Sequence, residues 1–199
     1  MKRRALLAFL PFLPKVALAC GRLDPGQILR GRFVQTRTLQ GFTRPLISEG
    51  HFVLSPGRGL IWRAEKPFAV TTLISSAGIV QLVQGNETLR LPSSRMPMLG
   101  QLYDMLGGAM AGDWHALERD FTVARSGEAQ AWQVTLTPRH ADNAAMPFTA
   151  INASGGCLVE AVELLKPGGD ADRLRFVDQT LTSGPLDADE TAALAVLTR

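Results

Sequence analysis

The sequence predicts a mainly β fold of the α+β type, with about ten or eleven antiparallel strands and two or three helices in one domain. Short segments in which apolar and polar residues alternate recur at intervals of about ten residues, and Gly, Pro and Asn separate them. One stretch in the middle of the chain has helical spacing instead. With 199 residues, 46% of them hydrophobic and 20% charged, the chain can bury one sizeable core. Strands this short and this evenly spaced are typical of a sandwich or barrel.

Residues 1–19 are predicted to be a secretory signal peptide, which leaves residues 20–199 as the single domain. Lys2, Arg3 and Arg4 precede the apolar run Ala5–Leu13, and Ala17-Leu18-Ala19 is a small-x-small cleavage site. The apolar run is too short to cross a bilayer. Removing four basic residues changes the net charge from +3 to +3 − 4 = −1. We therefore expect a periplasmic protein that does not bind nucleic acid.

The two cysteines, Cys20 and Cys157, allow three states. Cys20 follows the cleavage site, so it could carry a lipid anchor. However, Ala17 and Leu18 fit poorly with the large and small residues that a lipidation signal places there. In an oxidising compartment the two cysteines could instead form a disulfide, or both could remain free thiols.

Eleven segments read as strands. Alternation places Leu60, Trp62 and Ala64 on one face of the third segment. Ile61, Arg63 and Glu65 lie on its other face. Tryptophan needs a deep apolar site, so Trp62 marks that face as a buried one. In chain order the segments cover residues 31–38, 49–55, 59–65, 68–75, 78–84, 87–91, 119–126, 131–137, 146–153, 157–165 and 172–182.

Three helices are predicted. Between Pro97 and Arg119, apolar residues fall at helical spacing, with a stripe formed by Leu99, Leu102, Leu106 and Ala109 or Met110. Asp113 is a suitable N-cap for a second, short helix in the same stretch. Asp187 and Glu190 fit a capping box ahead of a final helix through Leu197.

Motifs that carry catalysis are absent from the sequence. It contains no G-x-S-x-G, Walker loop, H-E-x-x-H, C-x-x-C or dinucleotide fingerprint. His51, His115 and His140 lie in three different elements, which argues against a metal site. The run Gly168–Asp172 lacks calcium-ligand spacing and reads as a hairpin turn. We therefore predict a binding protein that is not an enzyme and has no cofactor or metal.

A hydrolase is the alternative class. Asp104, Glu118 and Asp120 flank the helical stretch and could supply a pair of carboxylates. They are more simply read as solvated residues of the helices.

Four of the six methionines, Met96, Met98, Met105 and Met110, lie in or beside the helical stretch. Methionine is flexible and polarizable, so such a cluster adapts to partners of varying shape. One interpretation is that these residues fill the core. The other is that they form a lid over a cavity for hydrocarbon, above a sheet that curls without closing and exposes its aromatic residues to a guest.

The motifs Gly31–Gln35 (GRFVQ), Gly50–Trp62 (GHFVLSPGRGLIW) and Lys66-Pro67, in this order, resemble the signature of the LolA family of periplasmic lipoprotein carriers. The resemblance implies an unclosed antiparallel half-barrel covered by a helical lid, whose apolar hollow takes up the acyl chains of a lipoprotein. It also implies loading by an inner-membrane ABC transporter and unloading to an outer-membrane receptor. We expect a monomer.

The predicted lipid-binding residues combine this resemblance with the alternation and the helical stripe. The resemblance implies that Phe33, Phe52, Leu60 and Trp62 line the hollow. The full set is Phe33, Phe52, Leu54, Leu60, Trp62, Leu99, Leu102, Leu106, Met110, Trp132, Val134 and Phe176.

Two departures from the family pattern stand out. Ser55 occupies the position before the motif's proline where better-known carriers have a basic residue that latches the lid, which leaves Arg58 or Arg63 as substitutes. The helix expected before the first motif has only about ten residues, from Arg22 to Gly31. These departures allow an alternative function, in which a LolA-like accessory protein carries another lipid or lipidic product for a dedicated exporter.

Overall fold

The computed structural model describes residues 23–95, 117–128, 130–139 and 148–199. These residues form eleven strands and one α-helix. The strands are β1 (Gln27–Thr38), β2 (Leu46–Ser55), β3 (Gly59–Lys66), β4 (Val70–Ser75), β5 (Gly78–Val83), β6 (Asn86–Pro92), β7 (Phe121–Glu128), β8 (Ala131–Pro138), β9 (Ala150–Gly155), β10 (Val159–Leu165) and β11 (Ala171–Ser183). The helix is α1 (Ala188–Ala195). All eleven predicted strands are confirmed.

The strands form a single antiparallel sheet in the order β6-β5-β4-β3-β2-β1-β11-β10-β9-β8-β7. The first and last strands pair in the middle of the sheet, and the edge strands β6 and β7 come from the middle of the chain. These two edges do not pair with each other within the described ranges, so the curled sheet stays open as a half-barrel. The predicted mainly β fold class is confirmed.

Register fixes two faces of this sheet. Directly opposed residues of paired strands lie on the same face. Phe33 on β1 lies opposite Phe176 on β11, and Phe52 on β2 lies opposite Trp62 on β3. The face that carries these four aromatic residues is called the inner face below. The outer face carries the intervening residues, such as Ile61.

Helix α1 packs on the outer face. Asp187 accepts a hydrogen bond from the Glu190 amide, and the Glu190 carboxylate accepts one from the Asp187 amide, at 2.7 and 2.9 Å. The predicted capping box is therefore confirmed. Apolar residues from the helix segment and from β1 to β5 form one buried cluster: Ile28, Val53, Ile61, Leu73, Val80, Leu186, Leu194 and Leu197.

The segment before the first motif corrects one expectation. No helix occurs between Leu23 and Gly31; this stretch makes a turn and then enters β1 at Gln27. Residues 27–30 pair with the end of β11, from Ser183 to Thr180, which holds them extended. The helical stripe of Leu99, Leu102, Leu106 and Met110 lies outside the described residues and stays a prediction. Of the short helix predicted after Asp113, at residues 114–119, the structure describes only the half from Leu117, where the chain turns before it enters β7.

Candidate functional site

Four aromatic rings meet at the centre of the inner face. The rings of Phe33 and Trp62 stack with centroids 3.8 Å apart and planes 24° apart. Phe176 approaches Phe52 edge-on at 5.4 Å and Trp62 at 6.1 Å. The two edge-to-face contacts of Phe176 have a geometry that is favourable for aromatic rings. Phe33, Phe52, Trp62 and Phe176 are called the aromatic cluster below.

Aliphatic side chains surround the aromatic cluster. Leu29, Leu54, Leu60 and Val159 are each at most 2% exposed and belong to the same buried group. Within the described ranges, only Leu23 and Leu158 join this group from outside the strands. The centre of the inner face is therefore built almost wholly by the sheet itself, whereas the outer face is packed by a helix.

A second apolar group continues the inner face toward β7. Val134 and Leu136 on β8 pack with Phe121, which stacks on Phe148 at 6.0 Å. Trp132 contacts both groups, and its indole N–H donates to the Gly156 carbonyl at 2.6 Å. The two apolar groups thus meet at Trp132, and together they extend along the inner face through both halves of the sheet.

The eight predicted lipid-binding residues that the structure describes all lie on this inner face. Seven of them belong to or contact the central group, and Val134 lies in the second group. The other four, Leu99, Leu102, Leu106 and Met110, lie outside the described residues. The shared face is established by the register, while the binding of lipid by these residues stays a prediction.

Several inner-face residues were missed by the sequence analysis. Leu29 lies outside the segment taken as the first strand, so the alternation did not include it. Val159 lies within the predicted tenth strand, but an irregularity of β10 between Val159 and Ala161 puts it out of phase with Val162. Gln179 was missed because β11 contains a bulge, which shifts every later residue to the other face. The sequence carries one indication of this bulge. Leu181 is apolar, although strict alternation from Phe176 would place it on the outer face.

The outer face carries a polar cavity beside α1. A cavity of about 340 Å³ lies at the start of α1 and is lined by Arg30, Arg63, Asp178, Asp187 and others. The guanidinium of Arg30 binds the Glu190 carboxylate through two hydrogen bonds of 2.7 Å. The hydrogen bond from Arg30 lowers the pKa of Glu190. Arg63 faces this cavity, on the side of the sheet opposite to the aromatic cluster.

His51, Glu118 and Asp120 are the candidate metal-binding or catalytic residues that the structure describes, and each forms an ordinary surface pair. His51 contacts Glu65 at 2.9 Å, Arg125 binds Glu118 at 2.7 Å, and Asp120 binds its neighbour Arg119 at 3.1 Å. Asp104, His115 and His140 lie outside the described residues. Across the described ranges, no three metal-ligating side chains come together.

The turn between β10 and β11 confirms the hairpin interpretation of the Gly168–Asp172 run. Gly168 and Gly169 have φ angles of 83° and 91°, a conformation that glycine adopts without strain. The Asp172 carboxylate, 8% exposed, binds Arg37 and Lys166. The Asp172 carboxylate of β11 therefore links the end of β1, through Arg37, to the residue that follows β10, Lys166.

Cys157, just before β10, is disulfide-bonded. Cys20 is the one other cysteine of the chain and lies outside the described residues, so we keep the Cys20–Cys157 pairing as a proposal. Leu23, three residues after Cys20, packs in the same buried group as Leu158 and Val159. The start of the described chain and the residues that follow Cys157 therefore belong to one buried group. Within the part that the structure describes, no helix has the length and apolar character to cross a membrane.

Comparisons with solved structures give remote similarities. A LolA superfamily protein from Nitrosomonas europaea is 8% identical, with a TM-score of 0.39, covering 84% of this chain and 91% of that one. A DUF1329 family protein from Desulfovibrio piger is 11% identical, with a TM-score of 0.45 and coverages of 86% and 93%. LprF from Mycobacterium bovis is 10% identical, with a TM-score of 0.33 and coverages of 79% and 87%. At such scores these similarities carry no functional argument.

The sequence itself matches a family model over most of its length. No curated protein matches the chain. The model described as "Outer membrane lipoprotein carrier protein LolA-like" matches residues 18–173, which include the three motifs and ten of the eleven strands in full. This chain therefore belongs to the LolA-like family of outer membrane lipoprotein carrier proteins.

Proposed function

We propose that this protein is a periplasmic carrier that shields the acyl chains of lipoproteins during their transfer from the inner to the outer membrane. The observation that carries the proposal is the continuous apolar inner face centred on the aromatic cluster. This face is formed by the family's own motif residues, since Phe33, Phe52 and Trp62 all lie within them. Acyl chains bind against this face, and the protein has no catalytic role.

The free energy of such binding suits a carrier. Each buried methylene contributes about 0.8 kcal/mol. About ten buried methylenes therefore contribute about 8 kcal/mol, which corresponds to micromolar affinity. Burying two whole acyl chains would bind the cargo too tightly for timely release. A partly exposed cargo can leave for a receptor of higher affinity, so the direction of transfer comes from the loading and unloading partners.

A second candidate shares the same face but differs in cargo. In this alternative the protein is a LolA-like accessory protein that carries a different lipid or lipidic product for a dedicated exporter. The departure at Ser55, which replaces the basic latch residue of better-known carriers, favours it. The two candidates require the same inner face and are separated by the identity of the bound lipid.

Glutamate placed on the inner face should abolish lipid uptake. Trp62→Glu puts a carboxylate among apolar rings, where burying the charge is costly. Thr71→Glu is the matched control, because Thr71 on the neighbouring strand β4 lies opposite Arg63 on the outer face. Uptake of a fluorescent fatty-acyl probe should fall at least tenfold for Trp62→Glu and stay within twofold of the wild type for Thr71→Glu.

Circular dichroism and urea unfolding establish whether both variants are folded before their uptake is compared. Equal uptake by a folded Trp62→Glu protein would contradict a binding site on the inner face.

Native mass spectrometry identifies the cargo directly. The mature protein is purified from the periplasm, and bound lipids are extracted and analysed. An acylated protein or peptide supports the lipoprotein carrier, whereas a free lipid supports the accessory protein. An unliganded mass, followed by failure to take up any fatty-acyl probe, rejects both candidates.

A further inference from the structure

A bulge in β11 turns the amide of Gln179 onto the inner face. At this point β11 has one residue more than β1 between successive pairs. Asp178 takes up the extra length with a φ of 52°, which is uncommon for a residue other than glycine. Leu181, two residues after Gln179, lies opposite Leu29 on the inner face. Gln179 therefore lies on the same face as Leu181.

Gly31 makes room for this side chain beside the aromatic cluster. A Cβ atom at position 31 would lie 3.1 Å from Cγ of Gln179 and 2.8 Å from the ring of Phe52. Contact distances below 3.0 Å require a neighbour to shift, so a side chain at position 31 would displace the ring. The glycine of the first motif thus lets Gln179 and Phe52 approach the same point of the backbone.

The orientation of the Gln179 amide is fixed by one hydrogen bond. Its Nε2 donates to the Val159 carbonyl at 2.8 Å, and a flipped amide would put two acceptors together. The other end of the amide, Oε1, is buried and has no hydrogen-bond partner among the described residues. Buried acceptors in native proteins are nearly always paired, and leaving one unpaired is unfavourable.

We propose that Oε1 of Gln179 accepts a hydrogen bond from the head end of the cargo, from an uncharged N–H or O–H group next to the acyl chain. This inference rests on the proposed lipid-carrier function and names the cargo group that the inner face selects. An ester has no donor to offer, and a charged group would lose its hydration beside the aromatic rings. The donor is either the amide of an N-acylated amino terminus or the hydroxyl of a glycerolipid.

The first test uses the wild-type protein and two probes of equal chain length. N-methylpalmitamide carries an N–H donor, and methyl palmitate carries none. Competition against a fluorescent fatty-acyl probe should give about five- to twentyfold tighter binding for the amide, since one buried acceptor becomes paired. Equal affinities would overturn the role of Gln179. If neither probe binds, the proposed carrier function itself fails.

The second test removes the acceptor. Gln179→Met keeps a flexible side chain of similar size and should bind both probes with equal affinity. Gln133→Met is the matched control, since Gln133 is exposed and lies between the inner-face residues Trp132 and Val134 of β8. It should keep the preference of the wild type. A preference that survives in Gln179→Met would overturn the proposal, and the wild-type comparison stands even if this variant does not fold.

A further pair of probes identifies the source of the donor. Hexadecanol carries an O–H group, and its methyl ether carries none. Preference for the amide with no preference for the alcohol assigns the donor to an N-acylated amino terminus. Preference for the alcohol alone assigns it to a hydroxyl-bearing lipid. Preference for neither donor overturns the proposal.

Discussion

The two halves of the sheet share an apolar inner face but differ on the outer face. On the outer face of β3 to β5, Ile61, Leu73 and Val80 are at most 2% exposed beneath α1. On the outer face of β8 to β10, polar side chains form a hydrogen-bonded row instead. Thr135 donates to Asn152 at 3.0 Å, and Asn152 donates to Glu163 at 3.4 Å.

The difference between the two halves shows that apolar residues occur on the two faces of the sheet for two different reasons. The buried outer-face residues Ile61, Leu73 and Val80 lie where a helix packs, so packing explains them. Inner-face apolar residues run through both halves, from Leu91 on β6 to Val123 on β7. The helix α1 does not reach them. A continuous apolar inner face is what a carrier of hydrocarbon requires.

The largest expected effect comes from the packed outer face of the first half. Leu73→Ala removes a fully buried side chain beneath α1 and should lower the free energy of unfolding by about 2–5 kcal/mol. Urea unfolding measures this loss. Leu89→Ala is the matched control, because Leu89 is 40% exposed. A loss below about 1 kcal/mol for Leu73→Ala would show that α1 does not complete this core.

A smaller effect should follow from the ion pair that joins α1 to β1. Glu190→Gln removes the charge paired with Arg30 but keeps a residue suited to the capping box. It should lower the free energy of unfolding by about 1–2 kcal/mol at pH 7. Arg30 lowers the pKa of Glu190 below its usual value of 4.5. The ion pair therefore stabilises the fold fully above pH 4.5, and this contribution is lost as the pH falls through the lowered pKa.

Urea unfolding of both proteins at pH 7 and at pH 3 checks this sign. The difference between the wild type and Glu190→Gln should shrink at the lower pH. A difference that stays constant or grows on acidification would contradict the role of the ion pair.

The smallest effect is expected on the polar outer face of the second half. Thr135→Ala removes the hydrogen bond to Asn152 from an exposed position. The free energy of unfolding should change by no more than about 0.5 kcal/mol, and uptake of a fatty-acyl probe should be unchanged. A loss above about 1 kcal/mol, again from urea unfolding, would mean that this face is packed like its counterpart in the first half.

Alternation was sufficient to predict the strands and which side chains share a face within one strand. The resemblance to the family put Trp62, Phe52 and Phe33 on a common face, and the register places them together. The capping box at Asp187 was predictable because it depends on two residues three positions apart.

Three features did not follow from the sequence. No particular residue type marks a bulge such as the one at Asp178. Alternation along the sequence therefore did not place Gln179 on the inner face. The packing of α1 on the outer face depends on contacts between distant segments. The extended segment from Gln27 replaced the expected helix because pairing with β11 offers its backbone groups partners that a short isolated helix would lack.

The pairing of β1 with β11 has a consequence for folding. Phe33 and Phe176 face each other across this pair, yet nearly the whole described chain separates them in sequence. The hairpins from β2 to β6 and from β7 to β10 close only short loops, so they form without waiting for the chain ends. The aromatic cluster forms only when the last strand docks against the first. A chain still emerging from synthesis therefore has no complete aromatic cluster, and the proposed cargo site exists only once folding has finished.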